Sequence, residues 1–254
     1  MVKRRGAQWV PNYHGAWAMV AIPPLLGVFE SGFVWPHVVL LALWWLGYFD
    51  FFAIGLWLRS GRKARFWPPV VAYTVPCVAL GVVLALWVPF LLVWVAIFAP
   101  LVGITFWQSA VRADRSMLND TVTVAAASLM LPVAAHVGHV SGWSRVWIVT
   151  VLVFAYFLGT VFYVKTNIRK RSSSVWLGLS VAWHVCGLIF ACVCCGFDAG
   201  ASVSFWHCVV WGLLVVRAVA VPLWGARHGW MSAKALGVGE IVASLLVTLT
   251  LVIR

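Results

Sequence analysis

Asp50, Arg217 and Glu240 are charged side chains set inside apolar runs that otherwise carry almost no charge. Asp50 stands nine residues before Arg59 and Glu240 six residues after Lys234. At a helical rise of 1.5 Å per residue those spacings are about 13 Å and about 9 Å. Arg217 lies near the same end of its own run, and His14 stands where the chain enters its first apolar stretch. Ionisable groups at membrane depth are costly and are usually paired or functional. Two readings follow. Arg217 forms a structural clasp with Asp50 or Glu240, or His14, Asp50, Asn167, Arg169, Arg217 and Glu240 converge on a polar pocket. In such a pocket Lys and Arg groups neutralise an anionic head directly, while the apolar helices accept its tail.

A second group gathers toward the other end of the spans: His37, His136, His139, Cys192, Cys194, Cys195, His207 and Cys208. Imidazole and thiolate at one depth suit haem, copper or zinc. The spacing is not a ligand set, because Cys194 and Cys195 are adjacent and point apart on a helix. Packing is the expectation, with a Cys195–Cys208 disulfide as the alternative; no metal and no cofactor are predicted. His184, in mid-span, is expected to donate an interhelical hydrogen bond.

The elements that position these groups follow from composition. Of 254 residues 64% are hydrophobic and only 9% charged, against about 25% charged in a soluble domain. That excludes a soluble fold and a secreted disulfide scaffold. The net charge of +12 suggests nucleic acid at first. The basic residues, however, sit in short connections between apolar runs, so no nucleic-acid partner is expected. The chain reads as an all-α polytopic bundle of about nine spans, near 14–33, 35–58, 68–87, 89–107, 121–138, 145–164, 174–195, 203–223 and 235–253, in one transmembrane domain over 1–254. The 42 uncharged positions 66–107 hold two spans, since one needs about 20 residues. With the N-terminus cytoplasmic, 15 of the 18 basic residues fall inside, including the 59–65 and 165–171 loops. Asn119-Asp120 is expected to cap the fifth span.

No phosphate loop, dinucleotide fingerprint, HExxH or serine elbow is present. The block His14-Gly15-Ala16-Trp17-Ala18-Met19, the block Tyr163 to Arg169 and the overall size resemble the YwiC-like family of bacterial integral membrane proteins. That resemblance implies a bacterial plasma-membrane location and no particular reaction. Nine spans with basic loops after the second and sixth are also similar to the intramembrane aromatic prenyltransferases of the UbiA superfamily. Those enzymes hold magnesium and a prenyl diphosphate with paired aspartates. Here the first region offers Asp50 without a second Asp, and the second offers Asn167 with Lys170 and Arg171. The resemblance therefore implies the scaffold without the two-magnesium site.

Three function classes remain. The first handles an anionic lipid or an isoprenoid such as a diphosphate at the cytoplasmic polar pocket, as an enzyme or a binding protein. The second is a transporter or exporter using Asp50 and Glu240 as coupling carboxylates. The third is an accessory or assembly protein with a membrane-protein partner. Membrane lipids are partners in all three.

Overall fold

The computed structural model describes residues 8–11, 16–196 and 203–253, and these form nine α-helices with no strand. Residues 1–141 and 142–254 make two compact units. Eight helices are long and apolar enough to cross a membrane, and the first, Ala16–Ser31, is shorter. The all-α polytopic architecture is therefore that of a multi-pass membrane protein.

The first unit holds α1 (Ala16–Ser31), α2 (Pro36–Arg59), α3 (Trp67–Trp87), α4 (Leu92–Ala110) and α5 (Met117–Val137). Pro36 opens α2 where its missing N–H costs nothing, and Arg59 closes it where a cation suits the negative helix end. The uncharged run 66–107 divides at Val88, whose extended backbone precedes a 3-10 turn at Pro89–Leu91. In α5, 61% of the most apolar window is buried, against 17% in α2, α3 and α4. Helices α1, α2 and α4 pack against α5, and α3 packs on α2. Its alanine-rich face lets α1 approach closely: a Cβ at Gly27 would run into the Leu131 carbonyl and the Ala134 methyl.

The second unit holds α6 (Trp143–Ile168), α7 (Ser174–Gly196), α8 (Phe205–His228) and α9 (Ala233–Val252). Here α6 is the buried member, with 56% of its window covered. Helices α7 and α8 close tightly where Gly187 faces the indole of Trp211, which leaves no room for a Cβ. Arg145 is 8% exposed and donates to the Leu251 carbonyl at 2.8 Å, setting a cation at the C-terminal end of α9.

Two local expectations are corrected. Helix α5 starts at Met117, and its cap is Ser116, whose hydroxyl accepts from the Asn119 N–H at 3.0 Å. Asn119 instead donates its side-chain amide to the Asp114 carbonyl, and Asp120 lies in the first turn. Helix α6 runs on through Ile168, so Lys165 to Ile168 are helical and not loop. Thr166 and Asn167 bond back to the Phe162 and Tyr163 carbonyls, which satisfies their polar groups inside the last turn.

Candidate functional site

Glu240 is fixed from three sides within the second unit. Its Oε1 accepts from Arg217 Nη1 at 2.5 Å, and its Oε2 accepts from the Thr160 hydroxyl at 2.8 Å. Its backbone carbonyl accepts from Tyr156, whose hydroxyl also bonds Ser244 at 2.9 Å. Helices α6, α8 and α9 therefore share one polar seam. Of the two partners the sequence offers Arg217, the clasp uses Glu240.

Arg217 is less completely satisfied. Its guanidinium carbon lies 4.2 Å from the centroid of the Tyr163 ring, a cation–π contact. Its Nε and Nη2 are buried and have no hydrogen-bond partner among the described residues. These two atoms share one edge of the guanidinium and form the fork that matches two oxygens of a carboxylate or phosphate. Leaving such donors unpaired costs about 1–3 kcal/mol each.

Tyr163 also carries the seam toward the end of α6. Its carbonyl accepts from the side-chain amide of Asn167, which is 2% exposed, and the Asn167 carbonyl accepts from Arg171 Nε. Arg171 lies over Trp230, and Lys165 and Lys170 flank the Trp176 ring. Arg169 is exposed at the helix end. Among the predicted residues the structure thus joins Arg217 to Glu240, links Asn167 to them through Tyr163, and leaves Arg169 outside the hydrogen-bonded seam. His14 lies outside the described residues.

Asp50 belongs to the first unit. Its Oδ1 accepts from the Thr74 hydroxyl at 2.8 Å, and it borders a cavity of about 530 Å³ among α1 to α5. The walls are almost wholly apolar and include Trp44, Phe51, Trp94, Phe98 and Phe106.

Residues the sequence reading passed over are Tyr156, Thr160 and Tyr163. With Asn167 they recur at positions i, i+4, i+7 and i+11 of α6, one face of a helix, and that periodicity was the available signal. Thr74, across from Asp50, had no comparable signal. Asp114 was also missed: it accepts from Ser109, pairs with Arg59 at 3.3 Å, and so ties the α4–α5 connection to the end of α2.

Three histidines of the second group, His37, His136 and His207, are hydrogen-bonded within their own units. His37 accepts the Val34 N–H on Nδ1 and donates from Nε2 to the Ala134 carbonyl. His207 accepts from Trp211 on Nε2, so its Nδ1–H donates to Thr250. His136 accepts from Trp94. His184 donates to the Ser180 carbonyl of its own helix, so the expected interhelical bond is corrected to an i−4 one. All six cysteines are free, which corrects the Cys195–Cys208 disulfide. Among the described residues no three of His, Cys, Asp or Glu gather as a metal would require.

Residues 10–135 match the family described as YwiC-like protein. The chain is 27% identical over 240 residues to an uncharacterised protein, YwiC, of Bacillus subtilis, covering 92% of each chain. It is 23% identical over 183 residues to an uncharacterised protein of Haemophilus influenzae, covering 71% of this chain and 76% of the other. No solved structure matches. The match lies within the first unit, and the Bacillus relative extends the similarity through nearly the whole chain, so this multi-pass membrane protein is similar to the YwiC-like family.

Proposed function

We propose that the protein handles an anionic lipid or isoprenoid at a polar pocket on the cytoplasmic side of the membrane. The observation that carries this reading is the Nε/Nη2 edge of Arg217, buried and without a hydrogen-bond partner among the described residues. Glu240 takes Nη1, so the Nε/Nη2 edge is the fork left to meet two oxygens of a phosphate or carboxylate. Lys165, Lys170 and Arg171, which belong to the same unit, add positive charge that attracts such a head group. Of the wider predicted set, His14, Asp50, Asn167 and Arg169 are secondary to Arg217 and Glu240 in this reading. The side is assigned from the basic connections, which favour a cytoplasmic N-terminus.

Gentle purification followed by mass spectrometry of extracted lipid tests the reading. An anionic lipid or isoprenoid phosphate enriched over neutral lipid is the expected result. Co-purified lipid of bulk-membrane composition would contradict it.

A further inference from the structure

The first unit encloses a cavity whose lining differs chemically from the surroundings of Arg217. Its cavity measures about 530 Å³, inside the range of about 300–1,000 Å³ common for small-molecule sites. All five helices of the unit contribute to its walls. Among the described residues Asp50 is the one acidic residue on those walls, and its single hydrogen-bond donor is Thr74 on Oδ1. Among the described residues no Lys, Arg or His lines the cavity. A carboxylate beside an apolar space at membrane depth is costly without a counter-charge. Rings stand around the same space: Phe51 stacks on Phe106 with centroids 5.7 Å apart, and Trp44 meets Phe98 edge-on at 6.4 Å.

Carboxylate, aromatic faces and apolar walls together define a ligand class. Aromatic faces attract organic cations, above all those whose charge is spread over weakly hydrated groups. The carboxylate supplies the counter-charge, and the hydrocarbon walls take the apolar body. We propose that this cavity binds a lipophilic organic cation, an ammonium or phosphonium group on an alkyl or aryl body, with Asp50 as its counter-ion. Thr74 holds Asp50 in place by occupying Oδ1, so that Oδ2 is the oxygen available to the cation. The proposal rests on first-unit residues and does not depend on the Arg217 reading.

The test uses the full chain in nanodiscs of neutral lipid with radiolabelled tetraphenylphosphonium as the probe. Wild type should bind it saturably at one site. Asp50→Asn should weaken binding at least about tenfold, the loss of one charge partner. Gly81→Phe keeps Asp50 and fills space instead; Gly81 lines the cavity and a Cβ there meets nothing within 4 Å. It should also abolish binding. Elution as a single species and an unchanged melting temperature identify the variants that fold. If Asp50→Asn fails that control, Gly81→Phe and competition by a neutral long-chain alcohol decide. Absence of saturable binding by wild type, equal affinity in Asp50→Asn, or equal displacement by the alcohol would overturn the proposal. The lipid-extraction test reads a co-purified anion and this assay reads a cation in neutral lipid, so failure here is distinguishable from failure of the anionic-lipid reading.

Discussion

Arg217 on α8 and Glu240 on α9 meet at 2.5 Å, largely buried, and Thr160 on α6 completes the carboxylate's second oxygen. One ion pair thus holds together three of the four helices of the second unit. Removing one partner strands the other charge away from water. Glu240→Gln is expected to lower stability by about 3–5 kcal/mol, the usual cost of breaking a buried pair. The double variant Arg217→Met/Glu240→Leu should recover part of that loss. Thermal unfolding of the purified variants in detergent measures both; a double variant as unstable as the worse single one would contradict this account of the pair.

Close packing of α7 against α8 depends on Gly187. Gly187→Ala drives a methyl into the Trp211 ring and should cost about 1–3 kcal/mol, as overpacking does. Gly178→Ala on the same helix meets nothing within 4 Å and should be neutral or slightly stabilising. Melting temperatures of the two variants, compared with wild type, check the contrast.

His207 is fully buried and bonded on both ring nitrogens, to Thr250 and Trp211. His207→Ala leaves the Trp211 N–H without its acceptor and opens a cavity, so a loss of about 2–5 kcal/mol is expected. His228→Ala, on an exposed ring at the end of α8, should change little. The readout is the difference in melting temperature; equal effects would show that depth and bonding do not govern these histidines.

Side assignment is testable by labelling. With a cytoplasmic N-terminus, single cysteines introduced in 197–202 of a cysteine-free variant should react with an impermeant maleimide applied to intact cells. Those at Arg62 or Lys170 should react only after lysis. Labelling at position 170 in intact cells would reverse the orientation.

Helix ends were legible because the residues that end helices are chemically distinct. Pro36 and Arg59 bracket α2, and the Trp87–Pro89 break separates α3 from α4. The start of α5 was harder, since the cap is Ser116 while the more conspicuous Asn119-Asp120 sits inside the first turn. Charge also misled at the end of α6: Lys165 and Asn167 look like loop, yet both are buried in helix, where the Asn167 amide bonds back to the Tyr163 carbonyl and the Lys165 ammonium lies over the Trp176 ring. Depth along each span indicated that Arg217 needed a carboxylate but not which one, because depth carries no rotational information. On the α6 stripe that the sequence reading passed over, Tyr156 and Thr160 meet Glu240 on α9 and Tyr163 meets Arg217 on α8. The cavity beside Asp50 had no signal, since its walls come from five helices and no local pattern encodes their spacing. Nor does composition mark the division between the units, which falls at Ser141-Gly142 in the short connection between α5 and α6.

Direct titration of Arg217 against an anionic amphiphile tests the central claim. Wild type, Arg217→Ala and Arg62→Ala are titrated with fluorescent farnesyl diphosphate and, separately, fluorescent phosphatidylglycerol in neutral nanodiscs. Arg62 is exposed on the short connection after α2, so its removal should change affinity less than about twofold. Arg217→Ala should weaken binding of at least one of the two probes by about tenfold to a hundredfold, the loss of a bidentate charge-assisted contact. Equal loss in both variants, or no saturable binding of either probe by wild type, would contradict the assignment of Arg217 as the anion-binding residue.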